Sequence, residues 1–149
     1  MKKHKALIFV IGLLLLTAVA AGAHLLTRDQ VTEGTVQLIH GEKTYELEIG
    51  ELDYKEVTGT RMNGKGEEIP VKASGILLKD VLELKSIVGY SKVKVVSDDS
   101  YSAELTVEEV KNDTKAYLLH EEEGKLRLVV FGDKNSKRSV SNVMQIVVE

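Results

Sequence analysis

The one basic loop of an otherwise acidic domain lies near the end of the sequence, in Gly132-Asp133-Lys134-Asn135-Ser136-Lys137-Arg138-Ser139. Clustered cations and backbone amides outside regular structure favour anions, so Lys134, Lys137 and Arg138 suit a phosphate or carboxylate ligand. The plainer reading is a solvated loop. His120-Glu121-Glu122-Glu123 groups nitrogen and oxygen donors that a hard cation uses. Consecutive side chains in a turn point in different directions, which favours a solvated hairpin turn there. Asp98-Asp99 offers paired carboxylates for acid–base work, but aspartates also make turns by bonding nearby amides. No Ser/His/Asp order, phosphate loop or zinc-type spacing occurs. The 149 residues include no cysteine, which excludes disulfides, thiolate metal sites and cysteine nucleophiles. None of these residues demands catalysis.

The elements that must position them read mostly as strands. Thr35–His40 and Thr44–Ile49 flank a Gly41-containing link, and Tyr45, Leu47 and Ile49 alternate with glutamates, as in a half-buried hairpin. Tyr54–Met62 and Glu67–Ala73 flank Asn63-Gly64-Lys65-Gly66, where Asn-Gly suits the positive φ angles of a tight turn. Pro70, the one proline, places its arm at a sheet edge or a bulge. Ser74-Gly75 then opens a helix over Leu77–Leu84, with Asp80 and Glu83 on its outer side. Lys92–Val96 and Tyr101–Leu105 read as strands around the Asp98-Asp99-Ser100 turn. Thr106 and Glu109 form a capping box for a short helix ending near Asn112. Ala116–His120, Lys125–Phe131 and Val143–Val148 are the last strands. About nine strands with short interrupting helices predict a single α+β domain over residues 27–149.

The N-terminal 26 residues read as a separate device. Met1-Lys2-Lys3-His4-Lys5 is basic, and Ala6 to Leu26 carries no charged residue apart from His24. As a helix this run reaches about 31 Å, matching a hydrocarbon core of about 30 Å. The lysines stay on the cytoplasmic side, which places the domain outside the cytoplasm. Ala18-Val19-Ala20 and Ala21-Gly22-Ala23 are acceptable to a signal peptidase, so cleavage and retention as an anchor both remain open. The length of the apolar run favours the anchor. With three of the 20 Lys+Arg in that leader, 17 basic residues face 23 acidic ones in the remainder, a net charge of −6. Phosphate backbones repel such a domain, which argues against nucleic acid as a partner.

From Gly75 onward the order of segments resembles the molybdopterin-binding domain of the sulfite oxidase family. Gly75-Ile76-Leu77-Leu78-Lys79-Asp80-Val81-Leu82 is similar to its glycine-led helix segment. Val93-Lys94-Val95-Val96-Ser97-Asp98-Asp99-Ser100-Tyr101 is similar to its strand and turn, and Glu104–Glu109 to the helix that follows. Gly124-Lys125-Leu126-Arg127-Leu128-Val129-Val130-Phe131-Gly132 resembles its G-x-L-R-L run. Ser139–Ile146 stands where that family closes its domain. The resemblance spans roughly Tyr45 to Val148. It implies a β-rich mixed fold of that type, and a cofactor-binding set of Arg61, Arg127, Lys137 and Arg138, with Lys72 beside Arg61.

The departures bear on chemistry. The family's molybdenum-ligating cysteine corresponds to Glu56-Val57-Thr58-Gly59, where no side chain supplies a thiolate. The closing lysine and tryptophan fall on Ser141 and Asn142, and a proline on Phe131. The expectation is therefore a non-catalytic, ligand-binding or accessory relative without molybdopterin, taking an anionic small molecule or a protein partner. The alternative is a molybdopterin-dependent oxidoreductase that binds its cofactor in an altered way.

Overall fold

Two sheets share the strands, and the C-terminal strand holds the first one together. The computed structural model describes residues 33–134 and 136–149. Strands β1 (Thr35–His40) and β2 (Lys43–Glu48) form the expected hairpin, with Gly41 at φ 62° in its turn. Strands β3 (Lys55–Met62) and β4 (Glu68–Leu77) form the next. Helix α1 (Leu78–Glu83) leads to β5 (Lys92–Ser97) and β6 (Ser102–Thr106). Helix α2 (Val107–Lys111) precedes β7 (Ala116–Glu121), β8 (Lys125–Val130) and β9 (Val143–Val148). The five-stranded sheet runs β2-β1-β9-β5-β6 and the four-stranded sheet β3-β4-β7-β8. The domain is thus a β-rich α+β fold with two sheets and short helices, as the strand pattern implies.

Strand β9 lies parallel to β1 and antiparallel to β5, closing the gap between two sequence-local hairpins. Its Val143, Ile146 and Val148 are buried, and its Gln145 amide donates to the buried Gln37 carbonyl oxygen at 2.9 Å. The main core gathers Val36 and Leu38 of β1, Val93 and Val95 of β5, and Leu126 and Leu128 of β8. It also takes in Leu78, Val81 and Leu82 of α1. Each such side chain contributes about 1.5–3 kcal/mol when fully removed from water.

The four-stranded sheet buries its other face as well. Alternation along β8 sends Leu126, Leu128 and Val130 to the main core, and sends Val129 and then Phe131 to a second cluster with Leu119, Val57, Val71, Ala73 and Tyr117. The sheet coils until its outer strands meet: the Gly132 amide donates to the Thr60 carbonyl at 3.1 Å. This coiling wraps the β3–β4 hairpin around the second cluster.

Three local expectations change. The helix does not open at Ser74-Gly75: Gly75, Ile76 and Leu77 pair with Leu119, Leu118 and Tyr117, so β4 runs to Leu77 and α1 starts one residue later. Pairing with β7 overrides the helical spacing of Ile76 and Leu77. In the β3–β4 turn the positive φ falls on Gly66, at 79°, while the Asn63 side chain accepts from the amides of Lys65 and Glu67. Asn63 therefore organises a longer loop over residues 63–67 instead of a two-residue turn. Strand β2 ends at Glu48, with Ile49 buried in a 3₁₀ turn. Pro70 behaves as expected: it pairs with Thr60 in a stretch of β4 whose other side meets no strand among the described residues.

Among the described residues no helix is long and apolar enough to cross a membrane. The expected anchor or signal, Ala6 to Leu26, lies outside the described residues.

Candidate functional site

The residues with ligand-binding chemistry separate into two places. The first is the basic loop. There the Arg138 guanidinium donates from Nε to Asp133 at 2.7 Å and from Nη1 to Glu109, also at 2.7 Å. Glu109 is held in place by the capping box of α2, its carboxylate accepting from the Thr106 amide at 3.0 Å. Burial raises the Glu109 carboxyl, but the Thr106 amide and the Arg138 guanidinium outweigh it and hold the group below its ordinary value. The hydrogen bond from Arg138 to Asp133 raises the guanidinium pKa further, against the opposing effect of burial. Arg138 is thus shared between two carboxylates of its own domain.

Arg61 reaches the same place. Arg61, Val129, Arg138 and Ser139 line a recess of about 10 Å³, the size of a single water. The Ser139 hydroxyl is buried, with no hydrogen-bond partner among the described residues. Lys137 is exposed, and its backbone carbonyl accepts from the Tyr101 hydroxyl. Arg127 sits elsewhere on β8, paired through Nε with Glu121 at 2.5 Å. Lys72 pairs loosely with Glu56 at 3.6 Å, both side chains largely exposed. Of the four residues expected to bind a cofactor, the fold brings Arg61 and Arg138 together, and it engages Arg127 and Arg138 with internal carboxylates.

The acidic candidates behave as turn residues. Glu121 is taken by Arg127 and Glu123 by Lys125, while the His120 ring stacks on Tyr54 with centroids 4.7 Å apart. Asp98 accepts from the Asn142 amide at 2.6 Å. Asp99 accepts from the Tyr101 amide, a bond that lowers its carboxyl pKa. Among the described residues no three His, Asp or Glu side chains converge as a metal site.

The second place is a cleft of about 620 Å³ where β3 and β4 part. Pairing between them begins at Lys55 and Gly75, while β4 continues to Leu77 against β7 alone. Upstream of Lys55 the chain is steered by Tyr54, whose hydroxyl donates to the Ile49 carbonyl at 2.6 Å. Gly75 lets side chains of the neighbouring strands pack closely over β4: a Cβ there would stand 2.9 Å from Leu119 Cδ2 and 3.1 Å from Val57 Cγ2. Val57, Ile76, Leu77, Leu84 and Tyr117 supply the apolar lining. Glu51, Asp53 and Glu56 lie on the side leading into β3, and Asp80 and Glu83 on α1, with Lys55 the one basic residue of the lining.

Sequence reasoning missed this cleft. Asp80 and Glu83 read as the outer side of a helix, and Glu51 and Asp53 fall between two strand runs without a signal of their own. A local signal existed in the spacing of Asp80 and Glu83, which puts both on one helix face. Their placement around one cleft with Glu51 and Asp53 depends on the β3–β4–α1 geometry. Compared with known families and curated proteins, the sequence matches no family model and no curated protein.

Proposed function

We propose that the chain is a membrane-tethered, extracytoplasmic binding or accessory module of the sulfite oxidase-type fold, whose ligand seats in the cleft between β3, β4 and α1. The cleft carries the reading: at about 620 Å³ it has the size and apolar lining of a ligand site. It also borders Glu56 and Val57, within the segment where the resemblance places the family's molybdenum ligand. The run from Ala6 to Leu26 supports the tether, and the lysines before it support the outward orientation.

Molybdopterin does not suit the residues present. Glu56-Val57-Thr58-Gly59 offers carboxylate and hydroxyl oxygen where a soft thiolate is required. The space over Gly59 is filled by the Phe131 ring. Five carboxylates around the cleft oppose a phosphorylated cofactor, and two arginines of the expected set, Arg127 and Arg138, are bound to Glu121, Glu109 and Asp133. Elemental analysis of the full chain purified from its native host tests the non-catalytic reading. Molybdenum is expected to be absent; near-stoichiometric molybdenum would overturn it and establish an oxidoreductase with altered cofactor binding.

A further inference from the structure

The charges around the cleft specify what it can hold. Glu51 and Asp53 face it from the turn before β3, Glu56 from β3, and Asp80 and Glu83 from α1, against the single basic lining residue, Lys55. Among the described residues Glu51, Asp53, Asp80 and Glu83 form no ion pair, and Glu56 meets Lys72 only loosely. Covering such carboxylates with a neutral or anionic molecule removes water from them without compensation. A cationic occupant replaces that water with opposite charge. The lining between these acids is apolar, and Leu84 at its edge is 58% exposed, so its side chain is available to an apolar group of a ligand. The carboxylates come from two walls, the approach to β3 and α1, and among the described residues no three of them gather as a metal ion would require. Carboxylates distributed in this way suit several cations along a chain better than one compact ion.

Resting on the binding-module reading above, we infer that the cleft docks a cationic, amphipathic segment of a partner polypeptide. Its apolar side chains lie against Ile76, Leu77 and Leu84, and its lysines or arginines lie between the two acidic walls. The acidic balance of the whole domain steers such a segment toward it, an attraction that weakens with added salt.

The test uses isotope-labelled full chain in uncharged detergent micelles, with backbone amide shifts followed during titration. Three synthetic peptides serve as probes: alternating lysine and leucine, alternating glutamate and leucine, and alternating lysine and serine. The lysine–leucine peptide is expected to shift the amides of Glu56, Val57, Gly75 and Leu84 and to bind more tightly than the other two. Paired substitutions Asp80→Asn with Glu83→Gln are expected to weaken it about tenfold, the sum of a few partly exposed ion pairs. Glu51→Gln with Asp53→Asn, on the opposite wall, provides an independent version that leaves α1 untouched. The exposed β6 control Glu104→Gln should leave affinity unchanged. Preference for the glutamate–leucine peptide at the same amides would overturn the cationic specificity while keeping the cleft as a ligand site. Titrations in which no peptide moves these amides would overturn the binding-module reading as well.

Discussion

A Cβ on Gly59 would lie 2.6 Å from Cγ of Phe131, so the ring occupies the space that any other residue at 59 would need. The contact joins β3 to the end of β8 where the four-stranded sheet coils on itself. Gly59→Ala is expected to cost about 1–3 kcal/mol, the range for forcing an extra methyl into a packed site. Urea unfolding of both proteins checks this. In a Phe131→Ala background the same methyl finds room, so the two costs should not add.

Arg138 joins the basic loop to α2 through Glu109 and to its own loop through Asp133. Arg138→Met should destabilise the domain by about 1–3 kcal/mol, because two partly buried carboxylates lose their hydrogen-bonded cation. The pH dependence follows from Glu109, whose folded-state pKa is depressed. Its contribution is present above the ordinary glutamate value and is lost as pH falls through the lower folded value. The gap between wild type and variant should therefore be full near neutrality and narrow in acid. Denaturant midpoints across that range provide the measurement.

Burial pushes the Tyr54 hydroxyl up to about 12. A raised folded-state value means stability is intact below the ordinary tyrosine pKa and declines as pH climbs from there toward about 12. Absorbance titration of the five tyrosines should show one phenolate ionising last, and Tyr54→Phe should remove it. The substitution should also cost about 0.5–1.5 kcal/mol at neutral pH through loss of the bond to the Ile49 carbonyl.

Thr106 caps α2 while Glu109, its reciprocal partner, also holds Arg138. Thr106→Ala should cost about 1 kcal/mol. Combined with Arg138→Met, the loss should differ from the sum, since both substitutions act on the placement of one carboxylate. A double-mutant cycle by thermal or urea unfolding reads the coupling.

Local rules made much of the fold legible. Alternation marked the strands from Thr35–His40 to Val143–Val148, and the Thr106/Glu109 spacing marked the start of α2. Asn63 and Pro70 announced a turn and an edge through their own preferences, although the positive φ expected of Asn63-Gly64 falls on Gly66. The Ser74–Leu77 stretch misled because its apolar residues satisfy a helical and an extended spacing alike. Only the presence of Tyr117–Leu119 alongside decides between them.

The sites divide in the same way. The sequence by itself determined the absence of thiolate chemistry, the acidic balance and the hairpin pairs, since each depends on residue identity or on neighbours within a turn. The tertiary structure alone decided that β9 enters between β1 and β5 and that the four-stranded sheet coils until Gly132 meets Thr60. It also decided which charges remain available. Arg127 and Arg138 are drawn to carboxylates 6 and 29 positions away, Glu121 and Glu109. Glu51, Asp53, Asp80 and Glu83 instead gather around one cleft. The physical reason is range: hydrophobic periodicity and turn chemistry act over a few residues, whereas the electrostatics of a site depend on which distant side chains packing brings within ångströms of one another.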